Sequence, residues 1–249
     1  MNTIQPVHSI VPIVRATSEK PISEILGTGF FVASKNDIFI VTARHVFDDN
    51  PLEKSEKYAY TFHGTKNIQI RSVNKIYSSD DYDIAFFHVE NSDVAVPDAV
   101  TLPFSKREPT LSENIYCYEY STSRFKRTAQ GGTHVSIEPL THKGNIMRIF
   151  DSDYPETIPT PSFLTSFPAL QGASGAPLLA GTENKNFYVA GMVVANQETH
   201  LLPAQTVKIK DGEKYIEETS YFLPLGKSIN ATLIASFLQK MGLELNFVE

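Results

Sequence analysis

Cysteine is nearly absent from this sequence of 249 residues, in which Cys117 stands alone. A single cysteine excludes an internal disulfide and a cysteine-rich metal site, and it fits a reducing compartment. Basic residues are not in excess either, since 22 Lys and Arg stand against 28 Asp and Glu and the net charge is −6. Nucleic-acid phosphates are bound by basic faces, so this balance argues against a nucleic-acid-binding protein. We interpret the one short basic cluster, Arg124, Lys126 and Arg127, as a solvated loop.

Long apolar runs are also missing. The longest near-apolar run, residues 187–195, has about half the length that crosses a membrane. No Lys or Arg precedes Arg15, and no apolar core of signal-peptide length precedes it. Hydrophobic residues make up 41% and charged residues 20%, as in an ordinary globular domain. The sequence therefore predicts a soluble, cytoplasmic protein with no membrane partner.

Helical periodicity is scarce, and short runs of β-branched and aromatic residues recur between Gly, Pro, Asn, Asp and Ser. Such spacing predicts an all-β protein of two similar halves, either barrels or sandwiches. The predicted strands are 10–14, 28–33, 38–42, 58–62, 68–77, 84–88, 114–119, 133–140, 147–150, 177–180, 187–194, 206–210 and 221–225.

One segment does carry a helical pattern. Apolar residues recur at three- and four-residue steps in 228–241, which predicts a C-terminal helix after the β region ends at Gly226. Ser228 or Asn230 caps its start in this interpretation. Asn230 also begins a glycosylation sequon, but without a secretion signal the capping interpretation is favoured.

The expected organisation is a single domain of 249 residues. Its first half covers about 10–100 and its second half 112–226. The proline-containing stretch 91–112 is predicted to be a linker between them.

Three side chains in short, distinctive segments suit catalysis: His45 after an apolar strand, Asp83 before one, and Ser174 between two glycines. Taken alone, each has a simpler interpretation, as an exposed histidine, a turn carboxylate or an ordinary glycine loop. Together they supply a nucleophile, its base and the carboxylate that orients the base. Asp80 and Asp81 are alternatives for the carboxylate, although only Asp83 directly precedes the apolar strand.

In this order the segments resemble those of trypsin-like serine peptidases, which have the chymotrypsin fold. Thr42-Ala43-Arg44-His45-Val46 resembles the family's histidine motif and Asp83-Ile84-Ala85 its aspartate motif. Gly172-Ala173-Ser174-Gly175-Ala176-Pro177 resembles its serine motif. The resemblance extends from about Ile10 to the C-terminal helix.

The resemblance implies two six-stranded antiparallel β-barrels with a C-terminal α-helix, and a site in the cleft between the barrels. Ser174 would attack the scissile carbonyl of a protein or peptide substrate, His45 would transfer the proton, and Asp83 would hold the imidazole. The backbone amides of Gly172 and Ser174 would form the oxyanion hole.

The chain departs from the digestive branch of the family, in which an Asp before the serine pairs with a new amino terminus after zymogen cleavage. Here Ala173 occupies that position, and the disulfides of that branch are absent. These departures are similar to those of bacterial and viral members, including the HtrA-type branch. Only 75 residues follow Ser174, so no appended PDZ module is expected.

The family's specificity pocket has its base about six residues before the serine and its walls on the strand that follows. Carried over by position, this assigns the pocket to Pro168, Ala169, Gln171, Val194 and Asn196. None of these residues is a carboxylate, so a preference for Arg or Lys is not supported. We expect a small or apolar P1 side chain.

Two segments are longer than a minimal barrel needs. Residues 151–168 contain four prolines and are predicted to form an irregular loop near the pocket. Residues 197–220 contain charged stretches around a predicted hairpin turn at Asp211-Gly212. Because long loops beside a site commonly gate or select, we hypothesise that the isolated enzyme is partly latent until an activating protein partner or the substrate orders them.

Two other functions compete with this one. Residues 172–176 nearly match the nucleophile elbow of α/β-hydrolases, but the only later histidine, His200, precedes Asp211, which is the wrong order. A trypsin-like domain that has lost catalysis and kept a binding surface is the remaining alternative. No cofactor or metal is expected, because the seven histidines and Cys117 lack ligand spacing and no phosphate-binding glycine loop is present.

Overall fold

The computed structural model consists mainly of β-strands. It describes residues 6–17, 22–63, 68–89, 101–121, 124–127, 133–150, 161–181, 187–200, 204–210, 213–219 and 222–248. The strands, in chain order, are β1 (Ile10–Thr17), β2 (Glu24–Ser34), β3 (Asp37–Thr42), β4 (Glu56–His63), β5 (Ile68–Ser72), β6 (Ile76–Ser78), β7 (Ala85–His88), β8 (Phe104–Ser105), β9 (Asn114–Glu119), β10 (Arg124–Arg127), β11 (Thr133–Ser136), β12 (Leu140–Phe150), β13 (Ser162–Thr165), β14 (Pro177–Ala180), β15 (Tyr188–His200), β16 (Ala204–Lys210), β17 (Glu213–Thr219), β18 (Phe222–Asn230) and β19 (Phe247–Val248). The helices of these residues are α1 (His45–Asp48), α2 (Ala231–Lys240) and a turn of 3-10 helix, Pro6–Ser9. None of these helices is long and apolar enough to cross a membrane.

The first half of the chain forms one antiparallel sheet of seven strands, in the order β5-β4-β1-β2-β3-β7-β6. Strand β2 is buried on both faces, since its residues from Leu26 to Val32 are all buried. In the described residues the outer strands β5 and β6 are not paired with each other, so this half is a half-barrel. The six-stranded barrel expected here is therefore replaced by an open, seven-stranded sheet.

The second half contains a closed barrel of six strands. The order β14-β9-β12-β13-β18-β15 closes because β15 also pairs with β14, and every pairing in this ring is antiparallel. Its apolar filling includes Ile115, Cys117, Phe163, Leu178 and Val193. Closure removes the free sheet edges, which stabilises the pairing register of each strand. The prediction of a six-stranded antiparallel barrel is confirmed for this half.

Helix α2 packs against the first half, although it follows the last strand of the barrel. The ring of Phe237 meets Phe86 of β7 edge-on, with ring centroids 5.9 Å apart. One buried apolar cluster contains residues of both halves, among them Phe30, Met192 and Leu238. The two halves therefore share a core, and their relative position is set by close-packed side chains.

The start of the C-terminal helix differs from the prediction. Strand β18 continues to Asn230, which pairs with Gly191 of β15, so the β region does not end at Gly226 and the helix begins at Ala231. Of the two candidate caps, Asn230 is the one used, because its side chain accepts a hydrogen bond from the Thr232 N–H at 3.0 Å. Ser228 lies within the strand, where barrel pairing outweighs helical propensity.

Three predicted loops contain strands. Ser162–Thr165, within the proline-rich segment, forms β13 between β12 and β18, while residues 151–160 lie outside the described residues. Arg124–Arg127 pairs with Thr133–Ser136 as β10 and β11, which corrects the interpretation of this basic cluster as a loop. In the predicted linker, Phe104–Ser105 forms β8, which pairs in parallel with β15 and β19, and residues 90–100 lie outside the described residues.

Candidate active site

Two paired strands bring His45 and Asp83 together. Strands β3 and β7 are antiparallel, with Thr42 opposite Ala85. The chain leaving β3 therefore emerges beside the chain that enters β7. His45 begins the short helix α1 three residues after Thr42, and Asp83 lies two residues before Ala85. Pairing between strands more than forty residues apart thus places an imidazole next to a carboxylate.

His45 bonds to Asp83 twice and to Ser174 once. Its backbone N–H donates to Asp83 Oδ1 at 2.9 Å, and its ring Nδ1 lies 2.6 Å from Asp83 Oδ2. On the other side of the ring, Nε2 lies 2.7 Å from Ser174 Oγ. The side chains of His45 and Asp83 are 29% and 26% exposed, so the pair borders solvent. Three residues distant in sequence thus form a continuous hydrogen-bonded chain.

Ser174 is held in place by the first half of the molecule. The backbone N–H of Thr28 in β2 donates to the carbonyl of Ser174 at 2.8 Å. The Thr28 hydroxyl donates to the carbonyl of Gly172 at 2.8 Å and accepts from the N–H of Tyr120 at 3.2 Å. Ser174 therefore lies at the junction between β2 and the barrel.

Gly172 lies in a tight turn directly before the serine. The Ala173 N–H donates to the Leu170 carbonyl at 2.9 Å, and Gly172 has φ of 94°. A hydrogen-bonded turn with positive φ at its third residue is a type II turn, which favours glycine at that position. Among the described residues, the N–H groups of Gly172 and Ser174 donate no hydrogen bond, so both amides remain available to a ligand.

Gly175 is required by a close backbone approach. Its φ is 85°, and a Cβ there would lie 2.1 Å from the carbonyl oxygen of Thr28 and 2.2 Å from Oγ1 of Thr42. Any other side chain would force β2 away from the serine segment. The glycine after Ser174 therefore lets the two halves meet.

Arg44 supports the site although sequence reasoning assigned it no role. Its guanidinium donates to the backbone carbonyls of Ser79 at 2.6 Å and Asp80 at 3.2 Å, and it lies 3.1 Å from the Asp48 carboxylate. It thereby fastens the turn before Asp83 to helix α1. The only sequence signal was its place beside the histidine, because its partners on the turn are backbone atoms.

The alternative carboxylates do not reach the imidazole. Asp80 and Asp81 are exposed, and the side-chain oxygens bonded to His45 both belong to Asp83. In the turn, the N–H groups of Asp81 and Tyr82 donate to the hydroxyl of Ser79. This turn leaves Asp83 alone facing His45.

The contacts shift both pKa values. The hydrogen bond to Asp83 raises the pKa of His45 above its ordinary value, against the opposing effect of burial. Burial raises the pKa of Asp83, but the hydrogen bonds and positive charge of His45, together with Arg44, outweigh it and lower that pKa. Burial lowers the pKa of Lys227 on β18, while the charge of Asp83 raises it. Asp83 is thus an ionised carboxylate that favours the imidazolium form of His45.

The five predicted pocket residues differ in their surroundings. Pro168 and Ala169 are half-buried, Val194 is buried, and Gln171 is exposed on the turn. The Asn196 side chain pairs with the backbone of Ala169, accepting from its N–H and donating to its carbonyl, both at 2.7 Å. These two hydrogen bonds attach the segment before the serine to β15. The position of Asn196 in the sequence did not predict this contact.

Metal ligands do not cluster in the described residues, where no group of three His, Cys, Asp or Glu side chains lies close enough to hold an ion. Cys117 is fully buried, and burial raises its thiol pKa well above the ordinary value.

A closed β-barrel and a half-barrel with this hydrogen-bonded chain at their junction define a protein with the fold of chymotrypsin-like serine peptidases. The family model described as trypsin-like peptidase domain matches residues 27–191, about two thirds of the chain. The chain belongs to this family. The matched range includes His45, Asp83 and Ser174. A search of the curated proteins found no match.

The raised pKa of His45 can be measured without any substrate. Replacing Asp83 with Asn removes the charge that stabilises the imidazolium, so we expect the His45 pKa to fall from above 6.5 towards or below that ordinary value. Histidine NMR titration of both forms measures the change. Asp37→Asn is the matched control, since it removes a carboxylate 3.4 Å from the exposed His88 and should leave His45 unchanged. Equal His45 pKa values in the wild type and Asp83→Asn would contradict the account.

Proposed function

We propose that this protein is a serine endopeptidase that cleaves protein substrates through an acyl-enzyme on Ser174. The observation that carries the proposal is the hydrogen-bonded chain from Asp83 through His45 to Ser174, with distances of 2.6 and 2.7 Å. Membership in the trypsin-like peptidase family supports it. An alcohol becomes a useful nucleophile only when a positioned base takes its proton, and this chain provides that base.

The proposed acylation step uses each of the three side chains. Ser174 Oγ attacks the scissile carbonyl carbon as His45 Nε2 accepts the hydroxyl proton. Nδ1–H stays bonded to Asp83, whose charge stabilises the imidazolium. His45 then gives its proton to the leaving amine, the C–N bond breaks, and an ester remains on Ser174. In deacylation His45 takes a proton from the attacking water, and it returns that proton to Ser174 Oγ as the ester bond breaks and the acid is released.

Two backbone amides are proposed to bind the negative oxygen that develops in the tetrahedral intermediate. The N–H groups of Gly172 and Ser174 have no acceptor among the described residues, and the type II turn presents the first of them outside the hydrogen-bonded ring. Removing one such donor costs about 10²–10³ in kcat in enzymes of this kind. Preorganisation of this turn is therefore expected to decide the rate.

We also propose kinship with the bacterial and viral members of the family rather than the digestive branch. Ala173 is buried in one apolar cluster with Cys117 and Phe167, so the position before the serine cannot form the ion pair of the digestive enzymes. The turn must be held by other contacts. A cytoplasmic location stays a prediction from the single cysteine.

A fluorophosphonate probe tests the proposed nucleophile directly. We expect the wild type to be labelled covalently and Ser174→Ala to show no labelling, because the probe needs an activated serine. Asp83→Asn should keep the fold and lose about 10⁴ in kcat, since the imidazole loses its orienting carboxylate. Mass spectrometry of the labelled peptide and turnover of a peptide ester are the measurements. Failure of the folded wild type to react would favour the alternative, a binding domain without catalysis.

We propose that the P1 side chain of the substrate is small or apolar. The pocket residues Pro168, Ala169 and Val194 carry no charge, and the Asn196 amide is occupied by the backbone of Ala169. The carboxylate of Glu119 is bonded to His142 and is buried away from solvent. Cleavage of a mixed peptide library should therefore enrich Ala, Val or Leu at P1. A dominant preference for Arg or Lys would contradict the proposal.

We propose that protein substrates also contact the hairpin of β16 and β17. This hairpin follows the ribbon in which β15 and β18 pair outward as far as His200 and Phe222, beginning beside the pocket wall. Val207 and Ile209 are 52% and 77% exposed, and Ile216, opposite Val207, is 65% exposed. Alternation along a strand places these three on one face, which forms an exposed apolar stripe. If substrate segments bind to this stripe, we expect the isolated enzyme to turn over slowly on short peptides that do not reach it.

Serine replacements of Val207, Ile209 and Ile216 test the hairpin. The triple variant should keep probe labelling and short-peptide turnover within about twofold, because the stripe lies outside the reacting groups. It should cleave far fewer of the lysate proteins that the wild type cuts and Ser174→Ala does not, as measured by terminal-peptide mass spectrometry. Leu111→Ser, which removes an apolar side chain that is 61% exposed and lies outside the hairpin, is the matched control. Unchanged lysate cleavage by the triple variant would contradict the contact, and rapid turnover of short peptides by the wild type would contradict latency.

A further inference from the structure

A second imidazole–carboxylate pair lies beneath the serine segment and takes no part in the proposed proton transfer. His142 Nε2 is 2.5 Å from Glu119 Oε1. The Glu119 side chain is 1% exposed and that of His142 is 21% exposed. Burying a carboxylate this deeply is costly unless it is paired and hydrogen-bonded. The pair therefore calls for an explanation within the barrel.

Strand register places the two residues on the same face. Glu119 at the end of β9 pairs with Leu140 of β12, and His142 pairs with Cys117. Glu119 and His142 are thus diagonal neighbours across the two strands, an arrangement that lets their side chains meet. Ser121 adds a hydrogen bond to Glu119 Oε1 at 3.2 Å. The other oxygen, Oε2, has no partner among the described residues, so the carboxylate depends on His142.

The pair touches the start of the serine segment through an aromatic contact. The ring of His142 stacks on Phe167, with centroids 5.4 Å apart and planes 13° apart. Gly144 lies on the same face of β12 as His142 and directly against the ring of Phe167. A Cβ on Gly144 would be 2.6 Å from Phe167 Cδ1. The Phe167 carbonyl is fixed in turn by the Thr165 hydroxyl at 2.7 Å and the Gly226 N–H at 2.8 Å.

The same pair lies next to the end of the segment. Tyr120, which follows Glu119, donates its N–H to the Thr28 hydroxyl that holds the Gly172 carbonyl. A Cβ on Gly172 would lie 3.2 Å from the Cα of Ser121, whose side chain is bonded to Glu119. The pair thus contacts Phe167 on one side and the support of Gly172 on the other.

We propose that Glu119 and His142 are positioning residues for segment 167–174, which they hold so that the Gly172 and Ser174 amides face the substrate. They do so through a hydrogen-bonded imidazole–carboxylate contact inside the barrel, whereas the digestive branch uses a carboxylate at the position of Ala173. The inference rests on the proposed function, since it assigns these residues to the same site. Both residues act through segment 167–174, and the larger effect is expected in the chemical step, because the oxyanion amides stabilise the transition state more than the bound substrate.

The double variant Glu119→Leu/His142→Phe tests this. It replaces the pair by apolar side chains and keeps a ring against Phe167, an exchange that is often neutral or stabilising for a buried ion pair. We expect an unchanged or higher melting temperature and kcat at least about tenfold lower, up to the 10²–10³ that loss of one oxyanion donor costs, with a smaller change in KM. Peptide kinetics, probe labelling rates and thermal unfolding provide these values.

Two further variants keep the test decisive. His88→Gln breaks the exposed imidazole–carboxylate pair with Asp37 and should change neither kcat nor stability. Glu119→Gln preserves the shape of the side chain and removes its charge, so it replaces the double variant if that does not fold, with the same expected drop in kcat. Unchanged kcat in whichever folded variant is measured overturns the positioning role.

Failure of the proposed function gives a different result. In that case the wild type itself does not react with the probe or cleave peptides. Hydrogen exchange of the backbone amides in segment 167–174 then still shows whether the pair holds this segment. Faster exchange in the double variant than in the wild type supports the role of the pair, and equal exchange overturns it.

Discussion

The contact between β2 and the segment that carries Ser174 is the constraint on which the site depends. The single residue Thr28 makes three of these contacts: it donates to the carbonyls of Ser174 and Gly172 and accepts from the N–H of Tyr120. Each such bond contributes about 1 kcal/mol net, but a buried group left unpaired would cost more. Because Thr28 is fully buried, this requirement sets the register between the two halves. Gly175 permits it, since any side chain there would collide with β2.

Burial separates the roles of the two imidazole–carboxylate pairs. His45 and Asp83 border solvent, so the imidazole of His45 can exchange a proton with water. Glu119 is sealed inside the barrel and bonded to His142, and its pKa is raised by burial against the effect of that histidine. The same two functional groups thus suit proton transfer at the surface of the cleft and positioning beneath it. Their surroundings, rather than their chemical identity, decide which role each pair suits.

Local pattern predicted some elements well and others poorly. Strands β9 and β14 match their predicted ranges, because each is a short apolar run bounded by turn residues. Strand β13 was missed, since four residues among prolines carry little periodicity and gain their stability from pairing with β12 and β18. The helix start was misplaced for a similar reason: Ser228 and Ile229, which were included in the predicted helix, pair with β15. In each case barrel closure outweighed the local preference.

The order and chemical types of the candidate site residues, the β-rich character and the absence of a disulfide are properties of the sequence by itself, because they follow from residue identity and short-range spacing. The tertiary structure decided which carboxylate faces His45, that Arg44 braces the turn before Asp83, and that Glu119 and His142 meet under Phe167. It also decided that the first half is an open sheet while the second closes. These features depend on strand pairings and backbone contacts between residues far apart in the chain. The energies of such contacts are set by strand register and packing together, so no local sequence pattern predicts them.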